Sequence, residues 1–198
     1  MAITNGYCTL AEVKAALRIS DSVDDTLLEN AIEGASRRID GYCGRFFYQQ
    51  AATVRFFPVH EFKCAIPDLA SSTLTLSTDS SGDGTFSTVW TAGQYQLEPL
   101  DVALEGRPYR SIVAVGSETF PLYTTPSLAS VRVQGTWGWP AVPDDVREAC
   151  VLLAIRGFAR YNAALGVVGF ADMAIQVRSV DPDVRDMLFP YRLYGIGG

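Results

Sequence analysis

The sequence predicts an α+β fold in which an antiparallel helical body is interrupted by a β-rich insertion. Residues 9–47 and 144–165 have the apolar spacing of helices, whereas 49–137 consists of short alternating runs separated by Gly, Ser, Thr and Pro. An amphipathic helix has to bury its apolar face, and each helical stretch offers the other a partner. We therefore expect the two ends of the chain to pack together, with the β residues inserted between them.

Two helices are predicted in the first stretch because it contains two helix-start signatures. Thr9 is followed three residues later by Glu12, and Ser22 is followed at the same distance by Asp25. In the second helix the apolar residues recur at alternating steps of four and three, which places them on one face. They are Leu28, Ile32, Ala35, Ile39, Tyr42 and Phe46. We expect this face to be buried.

The insertion contains six candidate strands bounded by turn-forming residues. These are 53–57, 73–78, 86–90, 95–98, 111–115 and 131–137. The Gly- and Ser-rich residues 80–84 fit a hairpin turn. Strict alternation in 73–77 is typical of an antiparallel sheet with one solvated face. The pattern fits either a sandwich or a small barrel.

The helix after the insertion has a well-specified start, because Pro143 suits a first turn while Asp144 and Asp145 complement the helix dipole. All residues from 149 to 155 are apolar, so the helix should be covered on most sides, by the insertion or by a neighbouring copy of the protein. The core residues that we predict for the helical body are Leu28, Ile32, Ile39, Cys150, Leu153 and Phe158.

The predicted domains are a helical body of residues 1–48 and 138–170, a β-rich insertion of 49–137, and a C-terminal arm of 171–198. Asp181 and Pro182 predict a short last helix in the arm. Its apolar face is too small to anchor it alone, so we expect the arm to dock on another protein rather than on its own domain. The alternative is that it folds back over the insertion. Its candidate binding residues are Arg178, Val184, Arg185, Met187, Leu188, Phe189, Tyr191, Arg192 and Tyr194.

Composition indicates a globular protein, because 48% of the 198 residues are hydrophobic and only 19% are charged. The formal net charge of −6 argues against binding nucleic acid through its phosphates. We interpret the only local basic group, Arg37, Arg38 and Arg45, as a solvated or subunit-facing surface. No apolar run approaches the roughly 18 residues of a membrane span, and the first residues lack a signal sequence, so we expect synthesis in the cytosol.

No catalytic, metal-binding or cofactor-binding residue is predicted. His60 is the only histidine and has no Ser or Cys motif beside it. The sequence therefore predicts neither a histidine-based catalytic triad nor a metal site with several histidine ligands. Residues 79–84 resemble part of a calcium loop, but Trp90 stands where a Glu ligand is expected, which favours a turn. The cysteines are far apart in sequence and are predicted to be buried free thiols. They are Cys8, Cys43, Cys64 and Cys150.

A carbohydrate- or receptor-binding β module is one function that the predicted insertion allows. It would require exposure of Trp137, Trp139 or Tyr95, whereas aromatic residues in short strands usually belong to the core. A small hydrolase would need a nucleophile and a base, and the sequence offers no convincing pair.

Four segments, taken in order, resemble the head-to-tail connector (adaptor) proteins of long-tailed bacteriophages. These segments are 7–19, YCTLAEVKAALRI; 24–45, DDTLLENAIEGASRRIDGYCGR; 131–154, VRVQGTWGWPAVPDDVREACVLLA; and 181–192, DPDVRDMLFPYR. The resemblance covers both ends of the chain, and no motif matches residue by residue between 49 and 135.

The resemblance implies a structural virion protein rather than an enzyme. It implies a ring, commonly dodecameric, that lies beneath the portal, joins capsid to tail and continues the DNA channel. The implied partners are the portal protein, neighbouring copies in the ring and a further neck or tail-completion protein. DNA would pass through without specific binding, no membrane would be involved, and the virion neck would be assembled in the host cytoplasm. An acidic surface suits such a conduit, because it does not hold phosphates.

Overall fold

The computed structural model describes residues 3–59, 61–123, 125, 128–162, 169–170, 173–174 and 182–193. The chain divides into two compact units, which we call the helical unit (Met1–Tyr48 with Val142–Gly198) and the sheet unit (Gln49–Ala141). In chain order, the helices are α1 (Leu10–Leu17), α2 (Asp25–Cys43), α3 (Val102–Glu105), α4 (Asp144–Asn162) and α5 (Pro182–Leu188), followed by a 3₁₀ turn (Phe189–Tyr191). The α+β class predicted from the sequence is confirmed.

The first helix begins as the sequence predicts. The Thr9 side chain accepts a hydrogen bond from the Glu12 backbone N–H, and the Glu12 carboxylate accepts one from the Thr9 backbone N–H, which completes a capping box. The predicted start of α2 at Ser22 is wrong, since Asp24 is the residue before its first turn. The Asp21 carboxylate accepts the N–H of Val23 at 3.1 Å and so holds a separate turn ahead of the helix.

Helices α2 and α4 pack against each other in opposite directions. Cys150 lies against Ser36, and a Cβ atom on Gly157 would stand 3.6 Å from the Ala31 Cβ, so residue numbers rise along one helix as they fall along the other. The buried apolar residues of the pair recur at steps of three and four. They are Leu28, Ala31, Ile32, Ala35, Ile39, Cys43, Val146, Ala149, Cys150, Ala154 and Phe158.

Five of the six predicted core residues of the helical unit are buried, and the sixth is not. Leu153 is half-buried, although it follows the buried Cys150 by three positions. The next inward position of α4 is taken by Ala154, which continues the step of four from Cys150. Leu153 therefore lies beside the buried stripe of α4 rather than within it.

In the part of the chain that the structure describes, no helix is long and apolar enough to cross a membrane.

Six strands form one continuous antiparallel sheet. They are β1 (Gln50–Phe57), β2 (Lys63–Thr78), β3 (Thr88–Trp90), β4 (Tyr95–Glu98), β5 (Tyr109–Ala114) and β6 (Val131–Trp137). The order is β1-β6-β2-β5-β4, and β3 pairs with the end of β2, where Leu76 faces Trp90 on one side and Val133 on the other. In the helical unit, β7 (Gly169–Phe170) pairs with β8 (Met173–Ala174).

Strand β2 is much longer than the predicted strand 73–78, since it begins at Lys63. Its first half contains Pro67, which cannot donate to a ladder, and the pairing with β5 shifts register between Ala65 and Leu69. The irregular register hid this half from a search for strict alternation. Gly135 of β6 lies close to β2, because a Cβ atom there would stand 2.9 Å from the Leu69 Cδ1 and 3.5 Å from the Leu74 Cβ.

Candidate assembly surfaces

Helix α4 carries apolar side chains on more than the face that packs against α2. Residues 151–153 and Ile155 are half-buried, whereas Val146, Ala149 and Cys150 are fully buried. The sequence predicts cover on most sides, by the insertion or by a neighbouring copy. In the structure α1 and α5 also contact α4, and these residues remain half-buried. Half-buried aliphatic side chains of this kind are available for a protein contact.

A groove of about 300 Å³, which we call the α2–α4 groove, is lined by residues of both helices. It is lined by Asn30, Ala31, Gly34, Arg38, Gly157, Arg160 and Tyr161. Gly34 leaves open space on α2, because no atom lies within 4 Å of where its Cβ would be, and a Cβ on Gly157 of α4 would stand 3.6 Å from the Ala31 Cβ. Arg38, Arg160 and Tyr161 are the large side chains of the lining.

The edge of the α2–α4 groove is cationic and aromatic. Arg38 and Arg160 are exposed, the ion pairs between described residues include neither, and the Tyr161 ring is 59% exposed. An unpaired guanidinium presents several donors in a planar fork, which suits a carboxylate. Exposed Val23 and Leu27 lie further towards the N-terminal end of α2. The groove can therefore receive an acidic and partly apolar protein surface.

The described part of the C-terminal arm packs on its own unit, which differs from our expectation that the arm docks elsewhere. Val184 and Leu188 of α5 are each 2% exposed, and α5 contacts both α4 and α2. The sequence analysis judged the apolar face of α5 too small to hold the helix in place. In the structure α2 and α4 together supply the surface on which that face is buried.

Residues after α5 continue this docking. The Tyr191 hydroxyl lies 3.2 Å from the Asp145 carboxylate, and its ring meets Phe47 edge-on with 5.9 Å between centroids. The Arg192 guanidinium lies 4.9 Å from the centroid of the Tyr42 ring. Polar, aromatic and cationic contacts thus hold this end of the arm in place.

The candidate binding residues of the arm divide into two sets. Val184 and Leu188 face inward, whereas Arg185 and Phe189 are exposed and three others are half-buried. The half-buried residues are Met187, Tyr191 and Arg192. Arg178 and Tyr194 lie outside the described residues. Only the outward set can reach a partner while the arm stays docked.

A polar cluster that the sequence analysis missed anchors the N-terminal segment to α2. The Tyr7 hydroxyl donates to the Asp40 carboxylate and accepts the Phe47 backbone N–H at 2.8 Å. Burial, together with the hydrogen bond to Asp40, raises the pKa of Tyr7 well above its ordinary value, and burial raises the pKa of Asp40. Arg37 pairs with Asp40 at 2.9 Å, so it has a contact within its own unit.

Further contacts secure the same segment. The Glu33 carboxylate accepts the backbone N–H groups of Thr4 and Asn5, at 2.6 and 3.2 Å. Arg37 donates to the Asn5 carbonyl at 2.9 Å. The spacing of Glu33, Arg37 and Asp40 on one helix face is visible in the sequence, but nothing in the sequence indicates that residues 4–7 lie along it.

In the sheet unit, Asp79 organises the loop that resembled part of a calcium site. Its Oδ1 accepts N–H groups of Ser81 and Gly82, and its Oδ2 accepts that of Gly84. Burial opposes ionisation of Asp79, but these backbone donors outweigh it and lower its pKa below the ordinary value. Among described residues, no group of three potential ligands is placed to hold a metal ion. The carboxylate is satisfied by the turn itself.

The tryptophans of the sheet unit are core residues. Trp137 is fully buried and donates to the Thr53 carbonyl at 2.7 Å, while Trp139 is 4% exposed and donates to Asp68 at 3.2 Å. Trp90 is 8% exposed and stacks on Phe120. The stacking platform that the alternative function requires is therefore not formed by these rings. Tyr95 is half-buried.

Large exposed apolar residues also occur on the sheet unit. They are Phe56, Phe62, Val89, Leu100, Leu104, Leu122 and Leu128. Phe62 and Leu122 line an open depression with Glu61 and Lys63. Scattered exposed apolar side chains are usual on protein surfaces, so these residues do not by themselves identify an interface.

Comparison with known proteins gives two similarities. The family model of the phage gp6-like head-tail connector protein matches residues 7–88, which include α1, α2, β1 and β2. A solved structure described as the neck of an empty GTA (gene transfer agent) particle, computed with C6 symmetry, contains a chain with a TM-score of 0.58 at 21% identity. The match covers 100% of this chain and 96% of that one. No curated protein sequence matches.

The two similarities are independent, since one rests on the sequence of residues 7–88 and the other on the fold of the whole chain. The matched family is described as one of head-tail connector proteins, and the fold is similar to that of a chain in the neck of a GTA particle. The resemblance to phage head-tail connector proteins that the four sequence segments indicate is confirmed.

Proposed function

We propose that this chain is a structural virion protein that forms a closed adaptor ring beneath the portal, joins capsid to tail and continues the DNA channel. The connector role is supported by the family match and the neck fold. The sixfold symmetry used for the similar neck is compatible with a dodecameric ring, because a twelvefold ring also has sixfold symmetry. The ring would be part of the virion neck and would be assembled in the host cytoplasm.

Two observations carry the ring: the α2–α4 groove, and the half-buried apolar residues of α4 at 151–153 and 155. A closed ring needs two different faces on each copy, one of which fits the other on the next copy. The groove supplies one such face, with an apolar side, two arginines and Tyr161 at its edge. A chain with a net charge of −6 has acidic residues in excess that could pair with those arginines on the next copy.

The outward side of the docked arm is our proposed portal contact. Phe189 is 50% exposed and Arg185 is exposed, while Val184 and Leu188 hold the helix below them in place. A large aromatic side chain with an adjacent arginine is the kind of pair that contributes strongly at interface centres. Because the described arm is already ordered on its own unit, binding would cost less ordering entropy than a free tail would.

DNA would pass through the ring without specific binding. The acidic net charge disfavours the phosphate neutralisation that dominates nucleic-acid affinity. A further neck or tail-completion protein would bind the opposite side of the ring. We propose no enzymatic activity, since the matched family is structural.

Matched double variants test the ring contact. The groove variant, Tyr161→Asp with Arg160→Glu, makes the positively charged edge of the groove negative. The control variant, Leu104→Asp with Arg107→Glu, makes the same change in charge at exposed positions of the sheet unit. All four side chains are exposed, so both variants should keep the thermal unfolding of the unaltered protein. Ring assembly with portal, counted by electron microscopy, should be lost only in the groove variant. Rings at the normal yield from the groove variant would overturn the assignment of the contact.

A further inference from the structure

Two cysteines from opposite ends of the chain meet in the core of the helical unit. The Cys8 Sγ lies 3.3 Å from the Cys150 Sγ, although the residues are 142 positions apart. Cys8 is 5% exposed and Cys150 is fully buried. All four cysteines of the chain are free thiols. Cys43 and Cys64 have no sulfur partner among the hydrogen bonds of the described residues, so this pair is distinct.

The surroundings fix both sulfurs. Cys150 projects from α4 towards α2, where its Sγ lies 3.4 Å from the Ser36 Oγ. The same Ser36 Oγ accepts the backbone N–H of Tyr7 at 3.0 Å, which holds the chain just before Cys8 against α2. Ser36 donates its own proton to the Ile32 carbonyl at 2.8 Å. The N-terminal segment and α4 are thus joined at one point, through a thiol pair and a buried serine.

A disulfide requires the sulfurs to approach to about 2.05 Å, so each would move by roughly 0.6 Å from its present position. Such a movement is within the range of side-chain rotation. We propose that Cys8 and Cys150 form an intramolecular disulfide when the protein meets a disulfide oxidant. This site is separate from the ring and portal contacts, and it does not depend on them.

Thiol–disulfide exchange with a small disulfide, such as oxidised glutathione, accounts for all the atoms and electrons of this reaction. The N-terminal segment opens locally, Cys150 loses its proton to solvent, and its thiolate attacks one glutathione sulfur, releasing one glutathione thiolate. Cys8 then loses its proton and attacks the Cys150 sulfur, which releases the second glutathione thiolate. Two protein thiols are oxidised to one disulfide, and one glutathione disulfide is reduced to two thiols. The order of the two attacks does not change this balance.

The bond would tie the N-terminal segment to α4 and close a loop that spans most of the chain. Closing a long loop restricts the unfolded chain, so the oxidised protein should unfold at a higher temperature, by roughly 5 to 10 °C. The reduced protein would retain the contacts that Tyr7 and Ser36 already make. Oxidation therefore strengthens the fold without changing which elements pack together.

The test treats the full chain with oxidised glutathione, blocks remaining thiols with an alkylating reagent after denaturation, and identifies linked peptides by mass spectrometry. We expect a Cys8–Cys150 link with no glutathione attached, two blocked thiols at Cys43 and Cys64, and the higher unfolding temperature. Cys8→Ser should abolish both the link and the temperature shift, whereas Cys64→Ser should keep both. The link is read directly in the unaltered chain, so the test does not depend on a variant that folds poorly.

Three results would overturn the proposal. Four blocked thiols after equilibration with the oxidant would show that the pair does not react. Glutathione that remains attached to Cys8 or Cys150 would show that the second exchange does not occur. A link that involves Cys43 or Cys64 would show that the 3.3 Å approach does not determine pairing.

Discussion

The backbone N–H of Leu193 donates a hydrogen bond of 2.8 Å to the carbonyl of Cys43, the residue at which α2 ends. The last carbonyls of a helix have no partner within it, and here the C-terminal arm supplies one. Gly44, in the left-handed conformation with φ of 67°, turns the chain away after Cys43 and leaves that carbonyl accessible. The arm therefore completes the C-terminus of α2 and belongs to the fold of the helical unit.

Truncating the contact beneath the arm should destabilise the protein. Leu188 is 2% exposed, so Leu188→Ala should lower the free energy of unfolding by about 2 to 5 kcal/mol. Phe189→Ala, at the neighbouring position that is 50% exposed, should change it by less than about 1 kcal/mol. Urea titrations followed by circular dichroism measure both values. Equal small losses would mean that α5 is not held against α2 and α4.

The central helix offers a similar comparison. Ile39 is fully buried on the face of α2 that packs in the core, so Ile39→Ala should cost roughly 2 to 5 kcal/mol. Val23, just before α2, is 86% exposed, and Val23→Ala should cost less than about 0.5 kcal/mol. Denaturant midpoints for the two variants provide the measurement. An Ile39→Ala variant as stable as the unaltered protein would contradict the assigned core.

The Tyr7 hydroxyl contributes through two hydrogen bonds. Tyr7→Phe removes the donor to the partly buried Asp40 and the acceptor for the buried Phe47 N–H, so it should lower stability by about 1 to 3 kcal/mol. Tyr161→Phe alters a 59% exposed ring and should have almost no effect. Thermal and urea unfolding of both variants measure these stabilities. Identical unfolding curves for Tyr7→Phe and Tyr161→Phe would show that the Tyr7 hydroxyl does not anchor the N-terminal segment.

Stability of the sheet unit should depend on pH through Asp79. Its folded-state pKa lies below the ordinary value of 3.8, so ionised Asp79 stabilises the fold above that pH, and the contribution is lost as the pH falls through the lower folded-state pKa. The difference in unfolding temperature between the unaltered protein and Asp79→Asn should therefore be largest at neutral pH and shrink below about pH 4. Asp101→Asn, whose side chain makes no capping hydrogen bond, serves as the control. A difference that does not vary with pH would refute this role for Asp79.

Local signals in the sequence predicted α1, α2, α4, α5 and most of the strands, but not the short helix α3. The Thr9 and Glu12 pair marks the start of α1, and the strands at Tyr95–Glu98 and Val131–Trp137 have the predicted bounds. Strand β2 was only partly predicted, because Pro67 and the shifted register interrupt its alternation. A search for alternating apolar and polar residues detects strands with regular pairing. It misses a strand such as β2, whose register shifts while its neighbouring strands still pair with it.

The candidate surfaces were less predictable than the fold. The apolar excess of α4 is visible in the sequence, but its contacts with α1, α2 and α5 are not. The α2–α4 groove is lined by residues of two helices that lie more than a hundred residues apart in sequence, so the groove cannot be recognised before the packing of these helices is known. The docking of α5 was not predicted for the same reason. A short helix is only marginally stable in isolation, and the surface of α2 and α4 that stabilises it is not visible in the sequence.

The most direct test of the connector role is to mix the purified full-length protein with the portal protein of the same particle and image the product by cryo-electron microscopy. Our account predicts a closed ring of copies stacked coaxially on one side of the portal, with the outward side of α5 at the interface. It also predicts that Phe189→Ala combined with Arg185→Glu weakens the stacking without lowering the unfolding temperature. Images that show portal alone, with the unaltered protein remaining monomeric, would contradict the account.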